Sequence, residues 1–336
     1  MKERNVVLVG ATGLVGSTML RVLEERNFPL SGLRIVASRN SRGMRVKFGD
    51  AHYTVESLSK DVFEAADIAL FSAGSEVSRK WAPIAVEMGV TVVDNSSAWR
   101  MENTVPLIVP EVNASALVDA EPRIIANPNC STIQLVVVLK PLADIWGLRR
   151  VFVATYQAVS GAGWRGIEQL EAELRGEQVL RPAFPHPITE NALPHIAAFL
   201  DDGYTVEERK MVNETRKILD LPDLPVSPTC VRIPVAHVHS EAVHVELGRA
   251  FDLEELRTAL ATFPGIVLQD DTDASLYPMA RTAKGHDEVF VGRLRKDASM
   301  EHGLAMWIVS DNVRKGAATN AVQIAELWNT RKSLTA

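Results

Sequence analysis

Hydrophobic and polar positions divide the chain into two textures. Up to about residue 148, short apolar runs alternate with amphipathic segments. The runs at 5–9, 33–37, 67–71, 91–94 and 123–126 are rich in β-branched residues and read as buried strands of a parallel sheet. Between them lie helical patterns at 17–25, from 77 onward and at 133–140, the last apolar enough for a buried helix. Beyond residue 148 the pattern changes. A strand at 151–158 leads through a glycine-rich turn at 160–163 to a polar helix from 166. Residues 176–204 are irregular and proline-bearing, which suits an extended arm or a subunit contact. A helix is expected at 206–219, followed by mostly alternating runs at 229–235, 241–247, 265–268, 288–294 and 303–309, with a helix at 252–262 among them. Strands in succession with few helices between them predict a mainly antiparallel sheet, hence an α+β second half. A final helix at 313–328 places Val313, Ala317, Ala321, Ala325 and Trp328 on one face.

At 336 residues the chain exceeds the size at which one core stops growing, so two domains are expected. Apolar residues make up 46% and charged residues 23%, with a net charge of −6, which offers no electrostatic case for nucleic acid or an anionic membrane. No apolar run approaches the roughly 20 residues that span a bilayer, and the first residues lack a signal peptide's apolar region. Cys130 and Cys230 are the only cysteines, too few for a disulfide framework or a cysteine-based zinc site. A reduced, cytoplasmic setting is expected. No internal repeat or low-complexity segment is present.

Gly10-Ala11-Thr12-Gly13-Leu14-Val15-Gly16 follows the first strand and opens the first helix. It is G-x-x-G-x-x-G, one residue looser than the usual dinucleotide fingerprint, in the first βα unit where glycines let backbone approach a pyrophosphate at a helix N-terminus. A tight structural turn would read the same way locally. The second strand ends in Ser38-Arg39-Asn40-Ser41-Arg42, where an NAD site usually carries Asp or Glu for the ribose 2′-hydroxyl. Two arginines and two hydroxyls suit a 2′-phosphate, so NADP is the expected cofactor; a solvated basic loop is the alternative. The small-residue turn Ser72-Ala73-Gly74-Ser75 is placed to line the same crevice. Arg100, at the C-terminal edge of the fourth strand, could hold an anionic substrate or be a surface arginine.

Asn127-Pro128-Asn129-Cys130-Ser131-Thr132 joins an apolar strand to the buried helical run. Pro128 disfavours helix before it, so the helix starts at or just after Cys130, with Asn129 or Ser131 able to cap it. A cysteine there meets unpaired backbone N–H groups and the positive end of the helix dipole, which favour thiolate and make a nucleophile. A small buried hydrophobe would fit the same turn. A second polar cluster, Val231-Arg232-Ile233-Pro234-Val235-Ala236-His237-Val238-His239-Ser240-Glu241, lies within apolar runs. An arginine in such a strand must find a carboxylate, and its planar fork binds one bidentately. His237 and His239 would share a strand face with His244 nearby, but neither cysteine nor a clear local carboxylate completes a coordination sphere, so no metal is expected. A histidine here is the natural acid/base partner of Cys130.

Seven stretches taken together, GATGLVG at 10–16, NSSAWRM at 95–101, NPNCST at 127–132, TYQAVSGAG at 155–163, EERK at 207–210, CVRIPVAHVHSEAV at 230–243 and DNVRKGAATNAVQIA at 311–325, resemble the aspartate-semialdehyde dehydrogenase family nearly end to end. The resemblance implies a Rossmann domain at 1–129, an α+β catalytic and dimerisation domain at 130–312 with a mainly antiparallel sheet, and a C-terminal helix at 313–336 packing back on the first. It implies Cys130 as nucleophile, His239 as acid/base and Gln157 beside the thiol. Arg232 would bind the substrate α-carboxylate, Glu207 its amino group, and Arg100 and Lys210 the phosphate, with Asn129 also on the substrate. NADP contacts would come from Gly10, Thr12, Gly13, Leu14, Val15, Ser38, Arg39, Ser41, Ser72, Gly74, Ser160, Gly161, Asn312 and Gln323. The implied reaction is reversible reductive dephosphorylation of L-β-aspartyl phosphate to L-aspartate-4-semialdehyde, through a cysteine thioester, in lysine (diaminopimelate), threonine, methionine and isoleucine biosynthesis. A homodimer or tetramer is implied.

Two positions depart from the family's common form. Val238 stands before His239 where glycine is usual, and Arg39 and Arg42 stand in a loop that usually reads closer to Ala-Arg-Ser-Ala-Gly. Two other readings are carried. N-acetyl-γ-glutamyl-phosphate reductase shares the chemistry, but its acylated nitrogen carries no charge and has no use for Glu207. A non-catalytic NADP-binding paralogue would dispense with Cys130 and His239; a branch of the family has lost the cysteine, which this chain keeps.

Overall fold

The computed structural model describes residues 1–117, 121 and 123–334. It divides into two units, Met1–Pro128 with Ala317–Ala336, and Asn129–Gly316. Residues 335 and 336, at the end of the segment expected to form the last helix, lie outside the described residues.

In the first unit the apolar runs become parallel strands. These are β1 (Arg4–Val9), β2 (Leu30–Ala37), β5 (Glu56–Ser57), β6 (Ile68–Phe71), β7 (Thr91–Asp94) and β8 (Ile124–Ala126), in the order β5-β2-β1-β6-β7-β8. A short hairpin, β3 (Arg45–Phe48) and β4 (Ala51–Thr54), interrupts the series and was not expected from the pattern. Among the described residues α1 (Leu14–Glu25), α2 (Ser75–Glu87) and the short α3 (Pro110–Asn113) accompany the sheet, together with the C-terminal helix described below. Successive side chains of β1 go to opposite faces. Val6 and Leu8 join a core with Met19, Leu20 and Leu23 of α1, whereas Val7 and Val9 join one with Ala82 and Ala85 of α2. Both faces are covered, which is why these strands read as unbroken apolar runs. β1 has β2 on one side and β6 on the other, so its turn to α1 and the β6–α2 turn open at a topological switch point.

The second unit contains α4 (Cys130–Trp146), β9 (Leu148–Gln157), α5 (Trp164–Leu174), α6 (Val206–Leu219), β10 (Val226–Arg232), β11 (His239–Leu247), α7 (Leu253–Thr262), β12 (Ile266–Leu268), α8 (Ala280–Ala283), β13 (Val289–Asp297) and β14 (Gly303–Ser310). Its sheet runs β10-β9-β11-β14-β13-β12. The three central pairings are antiparallel, but β10 with β9 and β12 with β13 are parallel, so the sheet is mixed. α4 lies against β9, β11, β13 and β14. Leu135, Val136, Val137, Val138 and Leu139 are all fully buried, the signature of a helix apolar all round.

Several boundaries shift. α1 begins at Leu14 rather than 17 because Gly13 already serves as its N-cap. α4 runs through Pro141 to Trp146. The strand expected at 229–235 spans Val226–Arg232, so His237 lies outside any strand and does not share a strand face with His239. The last helix, α9 (Thr319–Leu334), is preceded by a π-helical turn at Arg314–Ala318. α9 packs on α1 within the first unit, with Ala321, Ala325 and Trp328 in their shared core.

Candidate active site

Cys130 is the first residue of α4, with Asn129 in extended N-cap geometry. Neither Asn129 nor Ser131 caps the helix through its side chain. Asn129 instead donates from its backbone N to Glu214 Oε2 (2.6 Å) and from Nδ2 to Glu207 Oε1 (3.0 Å). The Cys130 thiol reaches Asn129 Oδ1 at 3.7 Å. Gly316 lies against the nucleophile's stem: a Cβ there would come 2.9 Å from Cys130 Cβ. Cys130 is half-buried, whereas Cys230 is fully buried and its thiol is pushed well up by burial, with Glu207 adding to the effect. One cysteine is accessible and the other is not.

α6 brings the acidic and basic partners to Cys130. Its capping box is complete, with Thr205 Oγ1 accepting from Glu208 N and Glu208 accepting from Thr205 N. Glu208 Oε1 also accepts from Cys230 N in β10 (3.0 Å), fixing the start of α6 against the sheet. Glu207 Oε1 accepts from Asn129 and from Gln157 Nε2 (3.1 Å), and its Oε2 accepts from Lys210 Nζ (3.1 Å). Burial alone would raise its pKa; the Lys210 ammonium and the Gln157 and Asn129 donors outweigh it and hold Glu207 at about 2. It is a buried, permanently ionised carboxylate.

Arg232 closes β10. It is 5% exposed, and Nη1 donates to Ala158 O at 2.6 Å. Gly161 sits so close that an added Cβ would stand 2.7 Å from Nη1. Burial lowers the Arg232 pKa from its ordinary value, opposed by the Glu207 charge, but an arginine stays protonated. Among the described residues no carboxylate lies within salt-bridge reach of it. Asn129, Cys130, Gln157, Gly161, Glu207, Lys210 and Arg232 line one cavity of about 430 Å³. The remaining wall includes Phe184, His195 and Ile196, from the irregular stretch that the sequence suggested for an arm. No periodicity in that stretch marked them.

His239 opens β11 and is fully buried; it is not among the residues lining the cavity. Ala158 N donates to its Nδ1 at 3.0 Å, which places the ring proton of the neutral form on Nε2, an atom with no partner among the described residues. Burial, reinforced by the Arg232 charge, lowers its pKa to about 3, so the ring is neutral. The preceding Val238 adopts φ 77°, the left-handed region where a β-branched residue is strained and the family's usual glycine is not. Asn312 Oδ1 holds it there, accepting from Val238 N (2.9 Å) and from Ser160 Oγ (3.1 Å). Two residues beyond His239 and on the same face, Glu241 is also fully buried. Burial raises its pKa well above the ordinary carboxylate value. No group of three or more His, Cys, Asp or Glu among the described residues is placed to hold a metal ion.

A second cavity, of about 560 Å³, lies in the first unit and is lined by Gly10, Thr12, Gly13, Ser38, Arg39 and Ser72, among others. Gly10 has φ +88° and a Cβ there would stand 2.2 Å from Ser72 O; a Cβ at Gly16 would stand 2.2 Å from Gly10 O. The turn is therefore open only to glycine, as a backbone cradle for a pyrophosphate requires. Thr12 Oγ1 and Ser41 Oγ are 3.2 Å apart across its mouth. Leu14, Val15, Ser41 and Gly74 are not lining residues, whereas Lys80 and Trp81, which the sequence did not single out, are. Gln323 Nε2 donates to Glu111 Oε1 (3.0 Å) in the same unit. Arg100 is buried in this unit, donating from Nε to Asn127 O (2.9 Å) and from Nη2 to Asn95 O (3.0 Å), and is not a surface arginine.

The chain matches family models described as "Semialdehyde dehydrogenase, NAD binding domain" over residues 5–120 and "Semialdehyde dehydrogenase, dimerisation domain" over residues 139–315. It is 54% identical over 329 residues to the aspartate-semialdehyde dehydrogenase of Aquifex aeolicus, covering 96% of this chain and 97% of that one. It is 52% identical over 332 residues to the same enzyme of Legionella pneumophila, covering 97% and 96%. Among solved structures, aspartate semialdehyde dehydrogenase II of Vibrio cholerae complexed with ASA superposes with a TM-score of 0.93 at 48% identity, covering 97% of this chain and 98% of that one.

Proposed function

Because the chain belongs to the aspartate-semialdehyde dehydrogenase family, we propose that it catalyses the NADP-dependent, reversible reductive dephosphorylation of L-β-aspartyl phosphate to L-aspartate-4-semialdehyde through a thioester on Cys130, acting as a cytoplasmic homodimer. The observation that carries this reading is the cavity lined by both Cys130 and Arg232, whose guanidinium has no carboxylate in salt-bridge reach among the described residues. A buried arginine without a carboxylate is costly, and a substrate carboxylate supplies the missing partner. Ionised Glu207 in the same cavity suits the substrate ammonium, which favours the aspartyl substrate over an N-acylated one. Lys210, paired with Glu207, and Arg100 are the cations we assign to the phosphate.

In the biosynthetic direction the Cys130 thiolate forms a bond to the acyl carbon and the acyl–phosphate bond breaks, the electron pair leaving on phosphate beside Lys210. Gln157, which donates to Glu207, holds one side of the acyl pocket. The glycine cradle fits a dinucleotide, and Arg39 on its wall suits a 2′-phosphate. A nicotinamide dinucleotide held by Gly10, Thr12, Gly13 and Arg39 would supply a hydride to the thioester. The resulting tetrahedral oxyanion expels the Cys130 thiolate, giving the aldehyde and regenerating the nucleophile. We assign His239, neutral with its proton on Nε2, a hydrogen bond to the oxyanion; the acid/base role implied by the resemblance is what the pH profile below tests.

The direct test is phosphate-dependent reduction of NADP⁺ at 340 nm, with L-aspartate-4-semialdehyde and N-acetyl-L-glutamate-5-semialdehyde in parallel. Turnover with the first alone is expected. Turnover with the second alone would overturn the roles of Glu207 and Arg232, and silence with both, despite NADP binding, would favour a non-catalytic protein.

The donor role of His239 makes a separate prediction. His239→Ala is expected to lower kcat by about 10²–10³-fold, the usual cost of a lost oxyanion donor. His239→Gln, whose Nε2 can still donate, is expected to recover about tenfold of that loss. Since His239 in the folded protein binds a proton only near pH 3, the kcat/KM profile is expected to show no limb near pH 6.5 that disappears in His239→Gln. Such a limb would mean that the ring titrates during turnover.

A further inference from the structure

The wall of the cavity facing Arg232 is built from residues to which the reaction assigns no part. The Phe184 ring lies over the guanidinium, with Cζ 5.6 Å from its centroid. On another side the missing side chain of Gly161 leaves room for Nη1, which Ala158 O receives at 2.6 Å. The chain carrying Phe184 lies between α5 and α6, outside helix and strand, so its position has to be fixed from elsewhere.

α5 fixes it. Gln169 Oε1 accepts from Ala183 N (2.6 Å) and from Phe184 N (3.1 Å). One turn later, Glu173 Oε2 accepts from Ile188 N and Thr189 N, both at 2.8 Å. Gln169 Nε2 donates to Glu173 Oε1 at 2.7 Å, tying the two acceptors into one unit on a single helix face. Further along, Leu193 and Arg232 exchange backbone hydrogen bonds of 2.9 and 2.8 Å. One irregular segment thus reaches Arg232 twice, by a ring over its side chain and by backbone at its strand.

We propose that Phe184 is a positioning residue for recognition of the substrate's α-carboxylate, and that Gln169 and Glu173 of α5 hold it in place. The ring fixes the plane of the guanidinium before substrate arrives, so that the fork meets a carboxylate without reordering, and it keeps water from the face it covers. The proposal rests on the role given above to Arg232.

Three variants test it: Phe184→Leu, which keeps apolar bulk but removes the π face; Phe184→Tyr, which keeps the face; and Gln169→Leu, which removes the acceptor holding the loop. For Phe184→Leu, KM for L-aspartate-4-semialdehyde is expected to rise about tenfold, the range of a desolvated cation–π contact, with kcat within about twofold and KM for phosphate unchanged. Phe184→Tyr should behave as wild type, and Gln169→Leu should move KM in the same direction by less. Calorimetric titration of wild type and Phe184→Leu with L-aspartate, a non-reacting α-amino acid, gives a readout independent of turnover and should show a comparable loss of affinity. Unchanged KM and affinity in Phe184→Leu would overturn the proposal. So would a joint fall in kcat and thermal stability that Phe184→Tyr shares, which marks a merely structural ring. If wild type failed to turn over the semialdehyde but the calorimetric difference held, the reaction assigned above would fall and this positioning role would stand.

Discussion

Cys130→Ala is expected to abolish turnover, with a loss on the order of 10⁵-fold, while leaving NADP binding intact. The substitution deletes one atom, Sγ, and keeps the Cβ that Gly316 accommodates, so α4 should begin as before. What disappears is the bond-forming group, without which the acyl carbon is never transferred from phosphate to the enzyme. The dinucleotide cradle is built from Gly10, Thr12 and Gly13 in the other unit and contains no part of Cys130. Titration with NADP, followed by the phosphate-dependent assay, separates the two effects. Alkylation with iodoacetamide, read by mass spectrometry, should give a single rapid adduct at Cys130, because Cys230 is fully buried. Activity retained in Cys130→Ala would sink the thioester mechanism.

Arg232→Lys is expected to raise KM for the semialdehyde by about 10²-fold, with a smaller effect on kcat. Lysine keeps the charge, but a point charge cannot bind a carboxylate through two parallel hydrogen bonds, nor present a planar group to the Phe184 ring that lies over the guanidinium. The shorter reach also forfeits the bond to Ala158 O. KM for phosphate should stay near the wild-type value, since the cations proposed for that group, Lys210 and Arg100, are untouched. A variant whose semialdehyde KM matched wild type would show that Arg232 serves packing and that the carboxylate binds elsewhere. Phe184→Leu and Arg232→Lys touch one contact, so their combined effect is expected to be less than additive.

The amino-acid sequence by itself determined the parallel sheet of the first unit, the glycine turn and the placement of Cys130 at the start of a buried helix. In each case the information is local. Apolar runs between turn residues specify strands covered on both faces, and Pro128 sets where α4 can begin. Helix α6 was legible to the residue: the pattern placed a helix at 206–219 and it spans Val206–Leu219, behind a Thr205/Glu208 capping box that only the structure showed. The spaced motifs also named Asn129, Cys130, Gln157, Glu207, Lys210 and Arg232, which line one cavity, and His239, which does not line it.

Only the tertiary structure decided the rest. Phe184 and His195 come from a stretch without periodicity, and what places Phe184 is an acceptor on a helix some fifteen residues away, Gln169. The partners of Asn129 were hidden for the same reason: a side chain that can cap a helix can equally reach Glu207, and the choice depends on where α6 packs. The π-turn at Arg314–Ala318 was read as ordinary helix because apolar spacing does not distinguish its hydrogen-bond pattern over so few residues. Val238 at φ 77° and the raised pKa of Glu241 follow from burial and from neighbours distant in the chain, Asn312 among them. Sequence pattern reports which face of an element is apolar; what stands opposite that face, and hence which buried polar group finds a partner, is settled only when the elements pack.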